Sequence, residues 1–192
     1  MNLPNKLTIL RICMIPLFVL TFYLTVIPFN FIISAVIFVL ASMTDFLDGY
    51  IARKNNLVTD FGKFLDPIAD KVLVSTALII LLVPPINVTI LPWYSSIMVA
   101  LIIARELMIS GFRLVAAGKG KVIAADKSGK IKTFITDIAI TYILVVAQFN
   151  LSILNLIGVI LLGVSTLLTI ISGIECLVKN KQIIQSKWKT FY

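Results

Sequence analysis

The sequence predicts an all-α, polytopic membrane fold, and three observations predict it. Of its 192 residues, 59% are hydrophobic and only 14% are charged, where a soluble domain carries about a quarter charged. The mean hydropathy is accordingly high, at +1.05. Six apolar stretches follow one another with short connections, each close to the roughly 20 residues that a helix needs to cross a hydrocarbon core about 30 Å thick. Lysine and arginine gather on alternate connections only, which is the pattern of a chain threaded back and forth across a bilayer.

The first stretch, residues 7–26, follows Lys6 and Arg11 as a signal peptide would, but residues 21–30 hold no small-x-small cleavage site, so it reads as a retained span. The second covers residues 29–51. The third, residues 62–83, is stopped by Pro84 and Pro85, which lack the N–H a helix needs. The fourth, residues 91–116, carries Trp93 and Tyr94 near one end as an aromatic belt. The fifth and sixth cover residues 131–149 and 151–178. The basic tail KNKQIIQSKWKTFY, residues 179–192, reads as an interfacial anchor. No seam divides the chain, so residues 1–192 form a single membrane domain.

Orientation follows from the cations. Lys6 and Arg11 stand at the start, Arg53, Lys54, Lys63 and Lys71 surround the second connection, residues 105–132 are basic around the fourth, and Lys179 to Lys189 fill the tail. The first, third and fifth connections have no Lys or Arg. Both termini and the even connections are therefore expected in the cytoplasm. The net charge of +8 is mostly this topology, with attraction to anionic lipid as a second effect, and it requires no nucleic acid. Cys13 and Cys176 are isolated among apolar residues, which excludes a disulfide framework and a thiolate metal site.

Against this background, residues 45–70 stand out. The apolar run before Asp45 covers only residues 31–43, about 20 Å of helix, so the span must include Asp45 and Asp48 to reach across. Pro84 and Pro85 limit the third span in the same way and submerge Asp66 and Asp70. An ionised group at that depth costs a few kcal/mol unless it is paired or faces a wet cavity. Asp45 and Asp48 are three apart and Asp66 and Asp70 four apart, so each pair shares one helix face. A connection over residues 54–61, with KNN and the possible cap Asp60, folds the two helices antiparallel. The four carboxylates then converge on one cavity open to the cytoplasm. Oxygen-only ligands in a chain without histidine suit Mg²⁺ or Mn²⁺ better than Zn²⁺. Gly49 and Gly62 flank the cluster, and each reads either as space for a ligand or as helix-end chemistry. Arg53 reads either as a phosphate fork or as the cytoplasmic end of its helix.

The combination resembles a known signature. Asp45-x2-Asp48-Gly49-x2-Ala52-Arg53-x8-Gly62-x3-Asp66-x3-Asp70 resembles without departure that of the CDP-alcohol phosphatidyltransferase family. Eight specified positions would coincide by chance on the order of once in ten billion starts. The six-span layout with cytoplasmic termini is also similar to the family, so the resemblance extends over most of the chain. It implies transfer of a phosphatidyl group from CDP-diacylglycerol to an alcohol with release of CMP, at two divalent ions, in a homodimer at the cytoplasmic side of the cell membrane. Carried onto this sequence, Asp45, Asp48 and Asp66 would bind one ion, and Asp66 and Asp70 would stand near a second. Asp70 would also be the general base. Arg53 would hold the diphosphate, and Asp48, Gly49, Ala52 and Gly62 would line the CDP-diacylglycerol pocket with Asn5 and Thr8 of the first span.

Softer motifs bear on the acceptor. NLPNKLTILR at the start, ARELMISGFR at residues 104–113 and GKIKT at residues 129–133 resemble the bacterial branch of the family that uses glycerol 3-phosphate and forms phosphatidylglycerol phosphate. Independently, Arg105 lies roughly 10 Å inside the cytoplasmic end of its span, counted along the helix. Arg113 is two turns on, and Lys130 and Lys132 open the next span. A basic pocket of Arg105, Arg113, Lys130 and Lys132 suits the phosphate of glycerol 3-phosphate better than zwitterionic serine or neutral inositol. Transfer to serine, inositol or inositol phosphate is the alternative within the family. A rival of another class is an ion-coupled transporter, but such folds show paired repeats with broken helices, and here the acids occupy one segment. Glu106 and Asp137 read either as orienting these basic groups or as pairing with them to reduce the cost of burial, and Glu175 receives no role from the sequence.

Overall fold

A computed structural model of the chain describes residues 3–54, 60–84, 86, 90–118, 127–149 and 151–181. Side chains at residues 3, 4, 46–61, 63, 64, 67, 127 and 152 lie outside that description. Among the described residues the architecture is all-helical: α1 Leu3–Tyr23, α2 Asn30–Lys54, α3 Asp60–Ile80, α4 Ser95–Gly118, α5 Lys127–Phe149 and α6 Ser152–Lys179. By length and composition, the segments Asn5–Tyr23, Ser128–Phe149 and Ile153–Lys179 can each cross a membrane, and Asn30–Asp45 is a shorter apolar helix.

The helix ends differ from the predicted stretches for local reasons. After Ile80 the chain tightens, with the N–H groups of Leu82 and Val83 donating to the carbonyls of Ile79 and Ile80, each at 3.0 Å, because Pro84 ahead forbids another α-turn. Helix α4 begins at Ser95 rather than residue 91. Its N–H donates to Pro92 O at 2.9 Å, so a turn built on Pro92 supplies the first bond. Pro16 stands inside α1, where packing of neighbouring helices compensates for the missing donor.

Cross-helix contacts set the directions. Between α1 and α2, Asn30 Nδ2 donates to Phe22 O at 2.8 Å, Thr21 Oγ1 and Ser34 Oγ lie 3.0 Å apart, and Arg11 reaches Asp45. Residue numbers fall on one helix as they rise on the other, so the pair is antiparallel. The same holds for α5 and α6, joined by Tyr142 Oη donating to Leu154 O at 3.2 Å, by Thr136 and Ser165 at 2.6 Å, and by Ser128 Oγ donating to Glu175 at 2.8 Å. Helices α4 and α6 run parallel, since Met98 meets Gly163 and Arg105 meets Gly173. The Arg11–Asp45 ion pair and the Ser128–Glu175 hydrogen bond each lie toward the N-terminal end of the first helix of their pair. The apolar core fills the rest, with Phe18, Phe22, Phe38, Leu73, Leu81, Ile102, Ile143 and Leu144 all buried. Phe18 and Phe38 pack with ring centroids 6.0 Å apart.

Candidate functional site

Three helices build the acidic half of the site. Asp45 is on α2, Asp66 and Asp70 on α3, and α1 packs against both. Thr8 and Arg11, three apart on α1, project from one face and reach different neighbours. Thr8 Oγ1 donates to Asp66 Oδ1 at 2.6 Å. Arg11 Nη1 stands 2.8 Å from Asp45 Oδ1, with the arginine side chain 0% exposed and that of Asp45 44% exposed. The same guanidinium is seated by its Nε, which donates to Thr44 Oγ1 at 3.2 Å and Ala41 O at 3.3 Å. Asp45 lies near enough to Asp66 and Asp70 to interact electrostatically with both.

The donor set suits a hard divalent cation. Oxygens of Asp45, Asp66 and Asp70 are the available ligands, and the arginine clamp on Asp45 leaves that side chain nearly half exposed. Among the described residues no group of three acidic side chains stands within metal-holding distance. Asp48, the further expected ligand, is on α2 with its side chain outside the described residues, and the same is true of Gly49, Ala52 and Arg53. The connection holding KNN, the side chain of Asp60, and the tail beyond residue 181 also lie outside them. Gly62 and Asn5 are buried.

Beside the aspartates a pocket opens between α3, α4 and α5, lined by Asp70, Lys71, Ser75, Glu106, Lys132 and Thr136 among others. Asp70 from α3 and Lys132 from α5 both line it. Of the four basic residues expected to hold an acceptor phosphate, Lys132 alone lines this pocket. It is buried and ion-paired with Glu106. Arg105 turns toward α6 instead: Nη2 donates to Ser172 Oγ at 2.9 Å, Nη1 meets Glu106 Oε1 at 2.8 Å, and its stem lies over Gly173, where an added Cβ would come within 3.0 Å of it. Only glycine admits that approach. Arg113 is half-buried, with its Nε lacking a hydrogen-bond partner among the described residues. Lys130 is exposed. Asp137 accepts from Ser42 Oγ at 2.9 Å, linking α5 to α2.

Two residues gained importance that the sequence did not assign. Arg11 reads from sequence as a marker of the cytoplasmic side, whereas the structure buries it completely as the partner of Asp45. The available signal was depth: it stands eight residues past Leu3, roughly 12 Å up the helix, too deep for a solvated marker. Glu106 reads as a counter-ion, and it is indeed the shared anion of Lys132 and Arg105, but at the wall of the pocket.

The chain is similar to known proteins over most of its length. Residues 1–171 match the family described as CDP-alcohol phosphatidyltransferase. A Bacillus subtilis (strain 168) protein named CDP-diacylglycerol--glycerol-3-phosphate 3-phosphatidyltransferase is 42% identical over 202 residues, covering 96% of this chain and 98% of its own. Proteins of the same name from Rickettsia bellii (45% over 173 residues, 90% and 91% covered) and Salmonella typhimurium (40% over 147 residues, 74% and 76% covered) are similar too.

Proposed function

This chain belongs to the CDP-alcohol phosphatidyltransferase family, and we propose on that premise that it transfers the phosphatidyl group of CDP-diacylglycerol to glycerol 3-phosphate, giving phosphatidylglycerol phosphate and CMP. The observation that carries the reading is that Asp70 and Lys132 line the same pocket. One supplies a base and the other a fixed cation, the two things a phosphorylated alcohol needs from its site.

The family generally depends on a divalent cation, and Asp45, Asp48, Asp66 and Asp70 would hold Mg²⁺ or Mn²⁺, two ions in all. When bound, the cation neutralises charge on the diphosphate of the donor. Asp70 takes the proton of the acceptor hydroxyl as its oxygen attacks the phosphorus bearing the diacylglycerol. The bond from that phosphorus to the oxygen bridging it to the cytidine phosphate breaks, and CMP departs with the electron pair. No Ser, Cys or His stands in the aspartate cluster of residues 45, 48, 66 and 70, so the transfer is a single displacement. Lys132 holds the acceptor phosphate, and Glu106 orients Lys132 from the side, itself braced by Arg105. Arg53 grips the donor diphosphate, with Asn5, Thr8, Gly49, Ala52 and Gly62 around the nucleotide. Arg113 and Lys130 draw the anionic acceptor toward the pocket.

In this reading the six helices are six spans of the cell membrane, both termini are cytoplasmic and the protein works as a homodimer. The depth of the site fits its donor: a lipid anchored by two acyl chains presents its diphosphate just inside the cytoplasmic interface. The test is CMP release by the detergent-purified protein with CDP-diacylglycerol and, in turn, glycerol 3-phosphate, serine, inositol and inositol phosphate. Release with glycerol 3-phosphate alone supports the proposal. Release with another acceptor while glycerol 3-phosphate is inert would reassign the acceptor and keep the family chemistry.

A further inference from the structure

The geometry points to α1 as the element that aims the metal-binding carboxylates: Arg11 and Thr8, neither of them a ligand, are positioning residues for Asp45 and Asp66. The inference rests on the proposed metal role of those aspartates and adds to it what holds them. An aspartate on a helix has two free torsions, and a carboxylate that can rotate pays for its ordering when a cation binds. Here each is held through one oxygen, Asp45 Oδ1 by the ion pair with Arg11 Nη1 at 2.8 Å and Asp66 Oδ1 by the hydrogen bond that Thr8 Oγ1 donates at 2.6 Å. The arginine is itself immobile, because Thr44 and Ala41 seat its Nε and no part of its side chain is exposed.

The arrangement joins three helices at one point. Thr8 and Arg11 are one turn apart on α1 but contact α3 and α2 respectively. They therefore fix the separation of the two helices that carry the cluster. A guanidinium so close also repels an incoming cation, which opposes its orienting effect. Two observations favour orientation: Asp45 stays 44% exposed while paired, and the cluster of Asp45, Asp66 and Asp70 remains net negative with Arg11 included. Thr8 gives the same support with no charge at all, so its effect is free of that repulsion.

The experiment is Mn²⁺ binding to the purified, chelator-stripped full chain, read by the loss of the free-ion electron paramagnetic resonance signal, with thermal unfolding in chelator measured alongside. Loss of an outer partner of a metal ligand typically weakens binding about 10- to 100-fold, and Arg11→Met and Thr8→Val are each expected to do so. Arg11→Lys should recover part of the loss. Thr44→Val, which unseats the guanidinium without touching charge, should weaken binding a few-fold at unchanged unfolding temperature. If Arg11→Met does not fold, Arg11→Lys, Thr8→Val and Thr44→Val carry the test. Mn²⁺ affinity within two-fold of wild type in those variants, or tighter binding in either arginine variant, overturns the positioning role. Asp45→Asn separates the two levels: if it binds Mn²⁺ normally, the metal assignment falls and this inference with it. If it loses the ion while the α1 variants keep it, only the inference falls.

Discussion

Asp70, Lys132 and Glu106 line one pocket, so substitutions there should separate the two substrates. Asp70→Asn keeps the shape and removes the base. It should leave CDP-diacylglycerol binding in place and lower the transfer rate by about 10² or more, measured as single-turnover CMP release. Lys132→Met removes the buried cation and should raise the KM for glycerol 3-phosphate by about ten-fold or more, the scale of a charge-assisted hydrogen bond, with the KM for CDP-diacylglycerol unchanged. Equal rises for both substrates would place the acceptor phosphate elsewhere. The depth of the acids is an expectation from the short apolar runs, while their helix placement was legible in the sequence from spacings of three and four. Arg11 and Glu106 were not, because their roles arise from pairing across helices: Arg11 meets a residue 34 positions away (45 − 11), which no local spacing encodes.

The α4–α6 seam lies beside the pocket that we propose for the acceptor. Arg105 crosses it over Gly173, ties Ser172 to Glu106, and through Glu106 reaches Lys132. Gly173→Val would push a branched side chain into the arginine stem. It should cost about 1–3 kcal/mol, the usual price of overpacking, seen as a lower unfolding temperature in detergent, and should raise the KM for glycerol 3-phosphate as Glu106 loses its brace. An unchanged KM in a destabilised variant would make the seam purely structural. The sequence singled out Arg105 but could not say which way it turns. That depends on glycine at residue 173, and in a helix otherwise rich in small residues one more glycine carries no signal. Helix order and approximate ends were legible, since apolar length and the prolines at 84 and 85 dictate them. The start of α4 was not, because its first bond comes from the turn at Pro92.

At the scale of the whole molecule, the proposal requires a particular threading. With native Cys13 and Cys176 replaced, a cysteine at residue 186 should be shielded from a membrane-impermeant maleimide in intact cells, and one at residue 150 should be labelled. Labelling of residue 186 from outside would invert the topology and put the aspartates on the wrong side for a cytoplasmic acceptor. The threading gathers a donor held in lipid, an acceptor from water and the acidic cluster at one end of the bundle, and that convergence is the central claim. The most direct measurement is incorporation of radiolabelled glycerol 3-phosphate into extractable lipid by the purified protein supplied with CDP-diacylglycerol and Mg²⁺ or Mn²⁺. The account predicts one labelled lipid, phosphatidylglycerol phosphate, formed in step with CMP, abolished by chelator and restored by adding the cation back. Undiminished incorporation after exhaustive chelation, or CMP release without labelled lipid, would contradict it.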